Sequence, residues 1–399
     1  GTAYGVLELS RIAGVSPWVW WGDVVPERKQ RLVMNGQFST TQSPAVTYRA
    51  NAFNEQDVNL IPWSRATIEH QTSGKQLGPA VYRRLFELML RLRANTLWNG
   101  DAEWNAFTSV KGNMELADSC DLFVGTKTHL LTHVKGKKKT IPVHFTLRDD
   151  GFGYLTSDAE LVHKKQNDHG ALAYHLNSAG RPHDDLWLTT IQPGLVCHEL
   201  KTAYEYGIKQ LWVLNVTNPK SAIIQLSLAM DLAWNPNAVK RNAIDRYLDN
   251  ILLQIAGQKA VYRLRSVMQQ FYHLTAIRRP EWMGWNRTAG KSRSVQNTDF
   301  NANAFGNELE TYLSDYNTLR VAVQNVERDI PTALRDAFFA AIKYPVLAAA
   351  AMATKQLQAQ EARELARPQS FHHDSEALTS AANSIKAYRE IRQLTAYYN

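Results

Sequence analysis

Apolar residues follow two different spacings along the chain, and the spacing changes near residue 235. Before this point, short apolar runs alternate with segments of helical periodicity. The runs that predict strands are residues 46–49, 94–98, 122–125, 141–147, 171–177 and 210–216. Residues 78–92 and 193–206 predict helices, because the first has an apolar face and the second opens with a proline and stops at Gly207. This alternation predicts parallel strands joined by helical crossovers.

The second part of the chain has no strand pattern and predicts a helical bundle. Its predicted helices are residues 238–258, 260–275, 307–329, 332–367 and 377–394. Pro345 should kink or divide the fourth of these helices, and the alanine-rich run beside it suits close helix packing. Residues 278–305 are rich in Gly, Asn and Ser, which predicts a long loop.

Composition narrows the class of protein without identifying it. The 399 residues are 44% hydrophobic and 21% charged, which is ordinary for a globular protein. Cys120 and Cys197 are the two cysteines, so disulfides do not organise the fold. No uninterrupted apolar run reaches about 18 residues, so we expect no membrane-spanning helix and no membrane partner.

The net charge of +8 is compatible with a nucleic acid or another polyanion as partner. The densest basic run, residues 135–139, lacks the interleaved aromatic residues that are typical of nucleic-acid binding. This run predicts a solvated loop between two strands. We therefore expect no nucleic-acid partner. A basic protein that binds polyanions is the least favoured interpretation of this chain's function.

Residues 16–21 form the densest aromatic segment, with Trp18, Trp20 and Trp21 close together. Tryptophan has a large apolar ring and one polar N–H group. Stacked indoles suit the flat C–H faces of a sugar ring, and they equally suit a buried aromatic core. The composition of this segment alone leaves both interpretations open.

Asp149 and Asp150 follow the predicted strand at residues 143–147, and Gly151 and Gly153 come after them. In a parallel α/β barrel the reactive groups lie at the carboxyl ends of strands. Two carboxylates that point into one cavity repel each other, which raises the pKa of one and keeps an acid protonated. The alternative is an ordinary Asp-Asp-Gly turn.

Further polar residues lie after other predicted strands. Asp184 is beside Arg181 and His183, and the planar guanidinium of an arginine fits the carboxylate of an acidic sugar. Glu103 supplies another carboxylate, and Asn215 supplies an amide for a sugar hydroxyl. A structural ion pair for Asp184 and a solvated loop position for Glu103 are the alternatives.

Metal and cofactor sites have little support in the sequence. His163, His169 and His175 are spaced too loosely for a metal-ligand pair, and residues 372–374 are more typical of a helix cap. The sequence has no nucleophile elbow, phosphate-binding glycine loop or dinucleotide fingerprint. We therefore expect no cofactor and no metal.

Taken together, these segments resemble glycoside hydrolase family 115, the xylan α-1,2-glucuronidases. The matching segments run nearly from end to end: residues 1–5, 16–21, 42–49, 62–63, 95–98 with Glu103, 149–154, 174–175, 180–184, 230–235, 343–346 and 397–399.

The resemblance implies an α/β plus all-α fold, an incomplete TIM-type (β/α) barrel followed by a helical bundle. Residues 1–35 would be the remnant of an N-terminal α/β domain, and residues 36–235 a barrel that lacks about one strand–helix segment near 131–141. Residues 236–399 would be the bundle. The implied activity is inverting hydrolysis that releases (4-O-methyl-)glucuronic acid from glucuronoxylan or a related acidic polysaccharide. The resemblance further implies a secreted or periplasmic location and, by family analogy, a homodimer.

The resemblance also implies roles for individual residues. The implied catalytic residues are Asp150, Asp184 and Glu103. The implied substrate-binding residues are Trp18, Trp20, Arg49, Trp98, Asp149, Tyr154, His175, Arg181, His183 and Asn215.

The sequence departs from the family pattern at several functional positions. Ala102 stands where the family has a histidine, Thr217-Asn218 where it has Gly-Asp, and Ile223 where it has a glutamate. Residues 125–130 replace a Gly-Thr-Ser-His-Cys-Glu run. One positioned acid or base contributes roughly 10²–10⁴-fold to a rate, so these losses predict weak turnover with retained sugar binding. The second interpretation is therefore a degenerate or truncated glycan-binding relative.

Overall fold

A computed structural model describes the chain except for residues 1, 34, 54–59, 70–75, 99–105, 126–128, 135–136, 143–144, 157–169, 178–187, 286–295, 303, 368–373 and 399. The chain forms two compact units: Gly1–Asn177 with Pro193–Leu248, and Ser178–Gln192 with Asp249–Asn399. The first unit contains the sheet and extends to Leu248. The domain bounds that the family resemblance implies, 1–35, 36–235 and 236–399, stay predictions.

The first unit consists of one sheet and a surrounding layer of helices. Its strands are β1 Tyr48–Phe53, β2 Thr96–Trp98, β3 Phe123–Gly125, β4 His129–Val134, β5 Lys137–Pro142, β6 Phe145–Arg148, β7 Gly170–His175 and β8 Leu211–Val216. Its helices are α1 Thr2–Ile12, α2 Leu60–Thr67, α3 Pro79–Arg91, α4 Ala106–Ser109, α5 Asn113–Ser119, α6 Pro193–Glu205 and α7 Ile223–Trp234.

The sheet has the strand order β5-β4-β3-β2-β1-β8-β7-β6. Six neighbouring strands, β3-β2-β1-β8-β7-β6, are parallel, as the alternation of strands and helices predicted. Within the described residues, no pairing joins β5 to β6, so the barrel is not closed. The incomplete barrel inferred from the family resemblance is therefore confirmed.

The basic run at residues 135–139 is not the loop that we expected. Residues 137–139 belong to β5, which pairs antiparallel with β4 from Lys137 opposite Val134 to Pro142 opposite His129. The lysines thus lie in an edge strand of the sheet. Lysine in an edge strand opposes pairing with another sheet, which accounts for the basic composition without a polyanion ligand.

Burial on both faces explains why the central strands are apolar. In β8, the consecutive residues Leu211, Trp212, Val213 and Leu214 are all at most 3% exposed. This is the pattern of a strand covered on both sides, which is usual for parallel sheets. Helix α3 has the predicted apolar face, and the residues of that face are buried.

The second unit is helical, as predicted. Helix α8, Ile244–Ala256, crosses the boundary between the units, and α9 Val261–Ile277, α10 Glu308–Val326, α11 Arg335–Phe338, α12 Tyr344–Leu365 and α13 Asp374–Tyr398 follow. Pro345 lies in the first turn of α12, and a π-helical segment, Phe339–Lys343, directly precedes that helix, so the helical stretch changes its geometry before the proline without being interrupted. The stretch Thr332–Leu365 is long and apolar enough to span a membrane, but 78% of its most apolar window is buried. That burial is the property of a core helix.

Candidate functional site

Several of the predicted site residues lie at one edge of the sheet, where the parallel strands end. Asp149 and Asp150 follow β6, His175 ends β7, and Asn215 lies near the end of β8. His175 pairs in register with Asn215, which in turn pairs with Ala52 of β1. Because neighbouring parallel strands end at the same edge, the topology brings these side chains to one region.

Asp149 and His175 form a hydrogen-bonded pair. The Asp149 side chain is fully buried, whereas 35% of the His175 side chain is exposed. His175 Nδ1–H donates to Asp149 Oδ1 over 2.8 Å, and the His175 backbone N–H donates to the same oxygen over 3.0 Å. The second oxygen, Oδ2, accepts the Gly151 backbone N–H over 2.9 Å. Asp149 thereby fixes the orientation of the imidazole and leaves Nε2 as the ring nitrogen that Asp149 does not contact.

Asp150 has a different environment from its neighbour. Its Oδ1 accepts the backbone N–H groups of Phe152, over 2.8 Å, and Tyr154, over 3.2 Å. These bonds form a turn of the kind that Asp commonly stabilises. Asp149 and Asp150 therefore contact different partners, although we expected two carboxylates pointing into one cavity.

The loop that follows β6 is anchored to the rest of the unit. The backbone N–H of Leu155 donates to Glu199 Oε2 over 3.1 Å, and the Tyr174 hydroxyl donates to the Gly153 carbonyl over 2.7 Å. Gly151 and Gly153 have φ angles of 79° and 94°, a conformation that favours glycine. The loop holds Asp150 in a defined place, and Tyr154 is 56% exposed beside it.

The loop after β8 is organised by amide side chains. Asn177 Oδ1 accepts the Thr217 N–H over 2.9 Å, and Asn218 Oδ1 accepts the Lys220 N–H over 2.9 Å. Ile223, where the family resemblance led us to expect a glutamate, is 2% exposed. Asn177 was not among the predicted site residues, although its position at the end of a predicted strand was a signal for it.

Trp18 and Arg49 do not lie with this group. Trp18 is 1% exposed and its indole N–H donates to Ser227 Oγ over 2.7 Å, which is the buried-core alternative for this residue. Arg49 lies near the start of β1, at the opposite end of the strands, and is 2% exposed. It donates to the carbonyls of Arg93, Val46 and Thr47. These two side chains have structural partners, so the structure gives no support to the substrate-binding roles inferred for them.

Burial at the amino ends of the strands changes proton affinities there. Burial lowers the pKa of Arg49 from its ordinary value, and burial likewise lowers the pKa of Arg93. Both guanidinium groups lie over the ring of Trp234, at 5.1 and 5.2 Å from its centroid. Burial raises the pKa of Asp231, although Arg93 opposes that change. The contacts of the two guanidinium groups with the Trp234 ring stabilise the packing at the amino ends of the strands.

The two other predicted tryptophans are more accessible. Trp98 ends β2 and packs against a core cluster that includes Ala50 and Val213. Trp20 is 37% exposed, and its ring contacts Trp21 and Trp63. Accessible indoles of this kind are the ones that could contact a ligand.

Some of the sequence predictions lie outside the described residues. These are Glu103, Arg181, His183 and Asp184, together with His163, His169 and residues 372–373. The distance between Asp150 and Asp184 is therefore not part of the described geometry. Among the residues that the structure does describe, no group of three or more His, Cys, Asp or Glu could hold a metal ion.

Comparison with known proteins identifies the family. The family model of glycosyl hydrolase family 115 matches residues 41–140 and 131–282. A solved structure, the family GH115 4-O-methyl-alpha-glucuronidase BtGH115A with specificity for decorated arabinogalactans, is 30% identical with a TM-score of 0.85. The match covers 100% of this chain and 65% of that one. A second structure, of a GH138 enzyme targeting pectin rhamnogalacturonan II, matches with a TM-score of 0.45 and 8% identity over 89% of this chain and 63% of that one. No curated protein sequence matches significantly.

Proposed function

Because the chain belongs to glycosyl hydrolase family 115, we propose that it is a glucuronidase-type glycoside hydrolase. Its reaction would remove (4-O-methyl-)glucuronic acid side chains from glucuronoxylan or a related acidic polysaccharide by inverting hydrolysis. The GH115 structure that matches this whole chain supports the proposal, and that protein has specificity for decorated arabinogalactans. This chain spans 65% of that structure's length.

The observation that carries the proposal is the Asp149–His175 pair beside the Asp150 loop, at the carboxyl edge of the parallel sheet. Asp149 uses both oxygens in fixing His175 and the loop, so its role is to position these groups. His175 Nε2 then presents a defined hydrogen-bonding atom to a sugar hydroxyl or carboxylate.

Acid–base chemistry in this site falls to the remaining carboxyl groups. Inverting hydrolysis needs one carboxyl group to protonate the leaving oxygen and a second to activate water, about 6.5–9.5 Å apart. We propose Asp150 as one member, since its turn holds the carboxyl group in place, and Asp184 or Glu103 as the other. Arg181 and His183 would bind the carboxylate of the uronic acid.

The test is release of uronic acid from two polymers, glucuronoxylan and an arabinogalactan decorated with glucuronic acid. We expect release from at least one polymer, and loss of roughly 10²–10⁴-fold in the Asp150→Asn variant, because the amide cannot exchange the proton. Proton NMR of the first-formed anomer tests inversion. The proposal is wrong if the wild type releases no uronic acid, or if Asp150→Asn is as active as the wild type.

A second candidate function is glycan binding without hydrolysis. The loop after β8 supports it, because Asn218 caps its own turn and Ile223 is buried where family resemblance predicts carboxylates. This candidate predicts that glucuronoxylan binds while no uronic acid appears. The polymer-binding and product-release assays, run on the same preparation, distinguish the two functions.

Two further expectations accompany the enzymatic proposal. An enzyme for an extracellular polymer should be secreted or periplasmic, which fractionation of the producing cells tests. Homodimer formation, inferred by family analogy, is tested by sedimentation velocity.

A further inference from the structure

Three tryptophans form a cluster in the helical layer of the first unit. The ring centroid of Trp20 lies 5.0 Å from that of Trp21 and 5.9 Å from that of Trp63. Trp21 and Trp63 are 5.0 Å apart with an interplanar angle of 38°. Trp63 lies in α2, whereas Trp20 and Trp21 lie in a turn before β1, so the fold brings segments that are distant in sequence together here.

An arginine stacks on the outermost of these rings. The guanidinium carbon of Arg84, in α3, is 4.9 Å from the centroid of the Trp20 ring. Arg84 Nη1 is 3.3 Å from Glu87 Oε2, while Glu87 Oε1 is 3.1 Å from Arg91 Nε. One carboxylate therefore serves two guanidinium groups, which leaves this group of three with a net charge of +1. A further carboxylate would find a favourable field beside Arg84.

Trp20 differs from the neighbouring tryptophans in its surroundings. Trp18 and Trp21 are at most 8% exposed, and their indole N–H groups donate to Ser227 Oγ and to the Arg84 carbonyl. Trp20 is 37% exposed, and within the described part of the chain its N–H has no hydrogen-bond partner. A core role accounts for the first two residues but not for an accessible ring with an unused donor.

We propose that Trp20, Trp63 and Arg84 form a binding surface for a uronic-acid-bearing polysaccharide, separate in its residues from the Asp149–His175 site. A sugar ring stacks on the exposed indole, the Trp20 N–H donates to a hydroxyl group, and Arg84 pairs with a uronate carboxylate. The choice of ligand rests on the proposed function, while the surface itself rests on exposure, ring geometry and charge.

Affinity electrophoresis with glucuronoxylan tests the proposal, with carboxyl-reduced glucuronoxylan as a second polymer that lacks the charge. We expect Trp20→Ala to weaken binding to both polymers roughly tenfold, the loss usual for an aromatic anchor. Arg84→Gln should weaken binding only to the charged polymer, by roughly threefold, and less at high salt.

Two variants provide matched controls. Arg83→Gln removes the same charge from an exposed neighbouring position in α3, and Tyr262→Ala removes an aromatic side chain that is 72% exposed in the second unit. Both should bind like the wild type. The proposal is overturned if Trp20→Ala and Arg84→Gln bind like the wild type, or if the Arg83 variant loses as much binding as the Arg84 variant. Thermal melting of Trp20→Ala checks its folding, and the Arg84→Gln variant, whose side chain is 43% exposed, keeps the test decisive if Trp20→Ala unfolds.

Hydrolysis of a short glucuronic-acid-substituted xylo-oligosaccharide is measured on the Arg84→Gln and Arg83→Gln variants. We expect both to retain the wild-type rate, because neither residue belongs to the Asp149–His175 site. A wild type that hydrolyses no oligosaccharide refutes the enzymatic proposal and leaves the polymer-binding comparison fully informative.

Discussion

Replacing Asp149 with asparagine changes one buried oxygen to an NH₂ group and tests the structural role of this carboxylate. Asp149 accepts three hydrogen bonds, two at Oδ1 from His175 and one at Oδ2 from the Gly151 N–H. Asparagine keeps one acceptor oxygen. If that oxygen faces His175, the new NH₂ group faces the Gly151 N–H, and two donors oppose each other.

The expected magnitudes follow from the number of donors left without an acceptor. One buried unpaired donor costs about 1–3 kcal/mol, so Asp149→Asn should lose about that much unfolding free energy. Asp149→Ala leaves three donors unpaired, but His175 reaches solvent, so we expect a loss of about 2–4 kcal/mol. Asp150→Asn provides the matched control, because an amide oxygen still accepts from Phe152 and Tyr154; we expect it to lose less stability than Asp149→Asn.

Urea unfolding followed by circular dichroism measures these differences, and hydrogen exchange locates them. We expect faster exchange of the Gly151 amide in Asp149→Asn, and of both the Gly151 and His175 amides in Asp149→Ala. Equal stability and equal protection in Asp149→Asn and Asp150→Asn would refute the reasoning, since the two carboxylates would then be equivalent.

Three other sets of substitutions test the packing, the electrostatics and the edge of the first unit. A Cβ at Gly125 would lie 2.2 Å from the Trp98 ring, so Gly125→Ala should cost about 1–3 kcal/mol in urea unfolding, while Gly194→Ala, with no atom within 4 Å, should cost nothing. Burial raises the pKa of Asp231 above 3.8, so ionisation of this carboxyl group opposes folding. The unfolding free energy of the wild type should therefore fall relative to that of Asp231→Asn as the pH rises through the raised pKa. The decrease should be small, because 31% of the side chain is exposed. Replacing the lysines of residues 137–139 with threonine should promote association through the edge strand β5, seen as larger species in light scattering.

Local sequence predicted the elements better than it predicted the environments of the side chains. The helix at residues 78–92 was visible because its apolar face depends on residues three and four positions apart. Trp18 and Trp20 lie two positions apart in one segment, yet the first is buried and the second is accessible. The difference depends on Ser227 and Arg84, which are distant in sequence. A pattern within six residues contains no information about those partners.

The prediction of a loop at residues 135–139 was wrong for a related reason. Residues 137–139 have the composition of a solvated segment, and composition indicates exposure without specifying whether the backbone is paired. In the structure the backbone of these residues is paired to β4 at the margin of the sheet. The Asp149–Asp150 pair shows the same limit, since adjacent carboxylates received different partners from different strands and turns.

The strands that carry the candidate site are paired although the sheet is open, so a loss of activity should come from individual side chains. The antiparallel hairpin of β4 and β5 lies beside β3, at one margin, whereas β8, β7 and β6 occupy the other margin in consecutive order. Asp149, His175 and Asn215 depend on those three strands, whose pairing is parallel and in register. The altered segment near residues 131–141 therefore leaves the neighbours of the candidate site in place. Asn218 and Ile223 are the two departures from the family's carboxylates that lie after β8. If hydrolysis is weak, we expect Asn218→Asp and Ile223→Glu to raise the rate of uronic acid release.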